Sequence, residues 1–150
     1  MPDKYRLTDQ TIPLPDGTPL YRIEALRDGP WGLVGTYGGY VQHACNLSQK
    51  ADAWVFEDAW VFGDARVAGD ARVASNRDWW AGGPLGSRHA ILSAYRTMDG
   101  WELTTGCFRG DVTAFLAAVA RTHGDTAYAR EYRAVAAMLR QRFEGGDLDA

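Results

Sequence analysis

The chain has 150 residues, with 16 basic and 19 acidic side chains, a formal net charge of −3, 46% apolar residues and 23% charged residues. That composition suits a soluble globular protein of one domain or two very small ones, and argues against a disordered chain or a general nucleic-acid binder. The longest apolar run, Ala114 to Ala120, falls far short of the roughly 20 residues of a membrane helix.

Met-Pro-Asp-Lys-Tyr-Arg opens the chain without an apolar core, so the expectation is a non-secreted, cytoplasmic protein. Cys45 and Cys107 are too few for a disulfide framework or a cysteine-only zinc site, and neither a metal nor a cofactor is expected. The N-terminal segment carries scattered apolar residues: Tyr5, Leu7, Ile12, Leu14, Leu20, Tyr21 and Ile23. Gly29, Gly32, Gly35 and Gly38 follow at intervals of three, read as corners of a lead-in coil with Val34, Val41 and Leu47 pointing inward.

Residues 53–76 repeat with a period of six: Ala-Trp-Val-Phe-Glu-Asp, Ala-Trp-Val-Phe-Gly-Asp, Ala-Arg-Val-Ala-Gly-Asp, Ala-Arg-Val-Ala-Ser-Asn. Alanine falls at 53, 59, 65 and 71, and valine at 55, 61, 67 and 73. The pattern predicts a short hexapeptide β-helix, with an antiparallel meander of short strands as the alternative. Alternation places the valines inside and Trp54, Phe56, Trp60 and Phe62 outside. Four outward aromatics need a cover. It comes either from the N-terminal segment or the C-terminal module, or from a subunit interface, which would make the protein a homo-oligomer, a trimer or dimer. A histidine in the repeat half could act as a general base. His43 is the one histidine in this half, but so short a coil cannot hold a long cofactor arm, so no catalytic residue is assigned.

Residues 77–88 break the period at Gly82-Gly83-Pro84 and read as a linker, with Trp79 and Trp80 capping the coil. Residues 89–97 alternate as a strand, Met98-Asp99-Gly100 turns, and residues 101–108 return. Asp111 caps a helix with the stripe Val112, Phe115, Leu116 and Val119, which Gly124 ends. Asp125 or Thr126 caps a second, with the stripe Tyr128, Tyr132, Val135, Leu139 and Phe143. Residues 89–143 are thus expected to form a ββαα module, and residues 144–150 a disordered acidic tail. Arg121, Arg130, Arg133, Arg140 and Arg142 read as a solvated basic face. Cys107 and His123 are a conceivable thiolate–imidazole pair, outweighed by a buried thiol and a helix-capping histidine.

Several motifs carry a resemblance. Lys4-Tyr5-Arg6-Leu7, Leu20-Tyr21-Arg22-Ile23, Gly38-Gly39-Tyr40-Val41, Asn46-Leu47-Ser48-Gln49 and Asp52-Ala53-Trp54-Val55 resemble the N-terminal region of the YdcK-like hexapeptide-repeat proteins. Gly86-Ser87-Arg88, Gly106-Cys107-Phe108, Phe115, Thr122-His123-Gly124 and Glu131-Tyr132 resemble the C-terminal module of small uncharacterised phage proteins. The resemblance implies a left-handed coil, kinship with left-handed β-helix acyltransferases and a phage or prophage origin.

The expected architecture is therefore mixed β and α: a short left-handed parallel β-helix within residues 1–76, a linker and cap over 77–88, and the ββαα module. The expected function is non-catalytic binding or scaffolding, engaging a host or viral protein in the host cytoplasm, with no membrane and no nucleic-acid partner. An acyltransferase-like enzyme and a small-ligand binder are the alternatives. The candidate binding residues are Trp54, Phe56, Trp60, Phe62, Trp79, Trp80, Arg88 and His123, the last four around a junction between modules.

Overall fold

A computed structural model describes residues 3–86, 89–106 and 108–145. β1 (Tyr5–Pro13) and β2 (Pro19–Ala25) form an antiparallel hairpin. Its turn closes through Gly17 N–H donating to the Leu14 carbonyl at 2.8 Å, with Gly17 at φ +92°, a region glycine enters without cost. β3 (Tyr37–Val41) runs antiparallel to β2. Gly39 is required there, because a Cβ would collide with the Ala59 carbonyl and the Val55 side chain.

The period-six segment keeps its periodicity of burial. Val55, Val61, Val67 and Val73 are all within 1% of complete burial, and Ala53, Ala59, Ala65 and Ala71 are buried beside them. Val41 and Leu47 join them, whereas Val34 is 61% exposed rather than inward. Pairing is parallel between β3 and β5 (Trp60–Val61), and between β4 (Trp54–Val55) and β6 (Arg72–Val73). Trp54 thus stands beside Arg72, three rows of the repeat later, and Leu47 bridges to Val67.

These contacts do not make the expected left-handed parallel β-helix, and the resemblance to YdcK-like proteins is corrected with it. The strands of the period-six rows, β4, β5 and β6, are two residues long, and each pairs in parallel with a single neighbour. An open parallel stack must also be covered at its ends. The covers here are antiparallel: β2 on the free edge of β3, and Thr97 bridging Ala71. The result is a mixed four-stranded sheet, β1-β2-β3-β5, beside the two-stranded β4-β6.

The C-terminal half differs from a ββαα unit. β7 (Trp79–Leu85), β8 (Ala90–Arg96), β9 (Trp101–Thr105) and β10 (Phe108–Gly110) form an antiparallel sheet in the order β10-β9-β8-β7. The segment read as a linker and cap therefore contributes a seven-residue strand. Pro84 is tolerated because β7 lies at the sheet edge, where a missing N–H breaks no internal ladder.

α1 (Val112–His123) and α2 (Ala127–Glu144) follow. The Asp111 side chain accepts from Ala114 N–H at 2.8 Å, and the Thr126 hydroxyl from Ala129 N–H at 3.3 Å. Each satisfies an N–H that a helix start leaves free. Gly124 ends α1 at φ +60°. α2 runs through Glu144, and the expected tail beyond residue 145 lies outside the described residues.

The sheet is a middle layer. Tyr95, Trp79 and Ala81 face the repeat and pack on its core. Leu92, Ala94 and Leu103 face the helices, where they bury Phe115, Val119, Tyr132, Leu139 and Phe143. Among the described residues no helix is long and apolar enough to cross a membrane.

Candidate functional site

Where the repeat, the sheet edge and α2 meet, an open groove of about 460 Å³ is lined by Trp60, Phe62, Trp79, Trp80 and Ala81, with Leu14, Pro15, Asn76 and Arg142 around it. Local bonds fix its walls. The Asn76 side chain accepts from Trp60 N–H at 2.7 Å, holding β5 to the turn before β7. The Trp79 indole N–H donates to the Trp60 carbonyl at 2.6 Å, and its ring meets Phe62 edge-on at 5.2 Å. Strand alternation sends Trp79 to the repeat side and Trp80 to the helix side, so both indoles flank the same edge.

Arg142 supplies the charge. Its Nη2 donates to the carbonyls of Trp79 (2.7 Å) and Asn76 (3.2 Å), anchoring the last turn of α2 to the start of β7. Its Nε is buried and has no hydrogen-bond partner among the described residues. No carboxylate pairs with it among the described residues. Asp78, the nearby acid, is engaged by Arg96 at 3.1 Å and by the N–H groups of Ala74 and Ser75. Burial, and then the neighbouring Arg77, lower the Arg142 pKa from its ordinary value, with Asp78 opposing. The guanidinium stays charged because its reference pKa is so high. An apolar groove thus ends on a half-buried cation that no carboxylate among the described residues pairs with.

Of the expected binding residues, the structure brings together Trp60, Phe62, Trp79 and Trp80. Trp54 is not free for a partner: it is 1% exposed, stacked on Trp31 at 5.1 Å and met edge-on by Tyr5 at 6.2 Å. The N-terminal segment and the loop after β2 therefore cover it within one chain. Phe56 is half-buried away from the groove, with the Arg72 guanidinium 6.0 Å from its ring. His123 lines a separate hollow of about 120 Å³ and stacks on Tyr132 at 5.7 Å. Arg88 and Cys107 lie outside the described residues. His43 is exposed at the start of a 3-10 turn, where its main-chain N–H donates to Asn46.

Arg142, Asn76, Leu14 and Pro15 were missed by the sequence reading. For Arg142 a signal existed: it follows the buried Leu139 by three residues and adjoins Phe143, so it borders the apolar stripe.

A second cavity, about 430 Å³, is polar and lined by Asp52, Asp70, Arg72, Asp99 and Glu102 among others. Glu102 there is held by the Tyr95 hydroxyl at 2.8 Å and by Arg109 at 3.1 Å. No group of three or more His, Cys, Asp or Glu among the described residues could hold a metal ion. No protein-family model matches the chain, and no curated protein sequence matches it significantly.

Proposed function

We propose that the protein is a non-catalytic binding module that engages a protein partner through the groove between the repeat and the C-terminal sheet. The observation that carries this reading is the convergence of Trp60, Phe62, Trp79 and Trp80 on the Arg142 guanidinium, which no carboxylate among the described residues pairs with. Tryptophan and arginine dominate protein interfaces because each combines a large desolvated area with a directional polar group. An open groove rather than a closed cavity suits a chain segment.

The test is peptide-display selection on the full chain, with parallel selection on an Arg142→Gln, Trp60→Ser variant whose fold is verified by circular dichroism. Peptides enriched on the wild type and bound at least tenfold more weakly by the variant are expected. Equal binding by both proteins, or no enrichment at all, would overturn the reading.

Self-association has a separate observation in its favour. Leu33 is 70% exposed, Val34 61% and Tyr37 48%, with Leu26 also exposed. Leu26, Leu33 and Val34 lie in the loop between β2 and β3, which Ala25 N–H to Thr36 O and Gly35 N–H to Ala25 O fold back on itself, and Tyr37 opens β3. Such a patch fits a contact between two copies better than the aromatic column does, because Trp54 is already covered. Sedimentation equilibrium of the wild type and a Leu33→Asp, Val34→Asp variant tests it: the wild type should associate and the variant should be monomeric. A wild-type monomer of 16.5 kDa would contradict it.

A further inference from the structure

We propose that the partner segment in the groove is an extended polypeptide that adds a fifth strand to the free edge of β7, with apolar side chains toward Trp60 and Phe62 and a carboxylate toward Arg142. This rests on the groove being a protein-binding site and names how it binds.

The backbone carries the argument. β7 is the last strand of its sheet. Arg96 N–H donates to the Asp78 carbonyl, and Trp80 and Gly82 stand opposite Ala94 and Leu92. In an antiparallel ladder, alternate residues exchange hydrogen bonds with the neighbour while those between point the other way. Asp78, Trp80 and Gly82 therefore bond to β8, and Trp79 and Ala81 direct their main-chain groups to the open side. Arg142 takes the Trp79 carbonyl. Among the described residues no main-chain group outside the sheet takes the Trp79 N–H, the Ala81 N–H or the Ala81 carbonyl.

Folded proteins usually blunt such an edge. Among the described residues the blunting is confined to the two ends: Arg142 at the start, and Pro84, which has no N–H, at the finish. The middle stays open inside the aromatic groove. Only an extended backbone matches two donors and an acceptor at strand spacing; a small apolar anion would satisfy Arg142 and leave Ala81 unpaired.

Side-chain positions follow from the pleat. Successive residues of an added strand face the repeat side and the helix side in turn. The repeat side offers Phe62, Trp60 and the Trp79 ring; the helix side offers Trp80 and Arg142, with Arg77 adding positive charge close by. The complementary segment alternates apolar and acidic residues. Self-pairing of β7 with a second copy would instead bring the Arg77 and Arg142 groups of both copies to one seam.

The probe is a fluorescein-labelled peptide, Val-Glu-Val-Glu-Val-Glu-amide, titrated against the full chain by anisotropy. Two further forms carry N-methyl groups on all valines or on all glutamates. The parent should bind, one methylated form should bind at least tenfold more weakly, and the other should stay within about threefold, because a strand pairs along one edge. Arg142→Gln should weaken the parent at least tenfold, and binding should slow exchange of the Ala81 amide. Both methylated forms binding like the parent, with Ala81 exchange unchanged, would overturn strand addition. If display-selected peptides bind as above, that result leaves the binding function standing. A peptide-free dimer with a protected Ala81 amide would overturn the proposal in favour of a second copy. Failure of both the probe and the display selection would overturn the function itself.

Discussion

Lys4 is completely buried, and its side chain ties the N-terminal strand to the repeat. Its ammonium donates to the carbonyls of Ala53 at 2.6 Å, Lys50 at 3.3 Å and Ala51 at 3.4 Å, and sits 5.5 Å from the Trp31 ring centre. Burial, and then Arg27, lower its pKa from 10.5 to about 8, with Asp52 opposing. The folded value lies below the unfolded one, so between about pH 8 and 10.5 the unfolded chain binds more protons. Stability in that window should rise with pH. At about 1.4 kcal/mol per pH unit, the full window corresponds to roughly 3 kcal/mol. Tyr5 and Tyr95, whose pKa values burial raises, titrate in the unfolded chain from about pH 10 and reverse the trend there. The usable window is pH 8–10, with an expected gain of about 2 kcal/mol. Urea unfolding at half-unit pH steps, for wild type and Lys4→Met, isolates the lysine. The wild-type-minus-variant stability should climb across the window by about that amount. A flat difference would mean that the three carbonyls hold the ammonium at its ordinary pKa, and would refute the reasoning.

Other substitutions probe the core. Asn46 accepts from His43 N–H at 2.8 Å and donates to the Gly63 and Ala65 carbonyls at 3.0 and 2.9 Å; Asn46→Leu should cost about 3 kcal/mol, at roughly 1 kcal/mol per bond, read as a fall in Tm. Val61→Asp should unfold the repeat, because an unpaired buried charge costs several kcal/mol, while Arg66→Asp on the exposed side should leave Tm nearly unchanged. Equal melting temperatures would contradict the inward valine column. Trp54→Ala should cost about 3–5 kcal/mol in urea unfolding without changing the oligomeric state, since its ring is buried within the chain; a stable protein with altered mass would contradict that placement.

The periodicity of residues 53–76 was enough to read which side chains are buried, because a valine every six residues samples one interior. It was not enough to read the pairing partners outside the repeat: β3 for β5, Leu47 for Val67, and Thr97 for Ala71. For Trp54 the sequence left three covers open, and the structure supplies the N-terminal one. Alternation along a two-residue strand says which face a ring occupies, not that Tyr5 and Trp31 cover that face. The helices were legible because Asp111, Thr126 and Gly124 are local signals acting on their own backbone. β7 was hidden because Gly82-Gly83-Pro84 looks like a break unless β8 is already beside it. Half of the groove was legible as aromatic residues needing a purpose. Arg142 was not, since a cation beside an apolar stripe reads as solvated until its neighbours are known.

Amide chemical-shift mapping of the full chain with a display-selected peptide tests the account most directly. Shifts concentrated on Trp60, Phe62, Trp79 and Ala81, with movement of the Arg142 Nε resonance, are the predicted result. Shifts confined to the Leu26–Tyr37 loop or to the outer faces of α1 and α2 would contradict it.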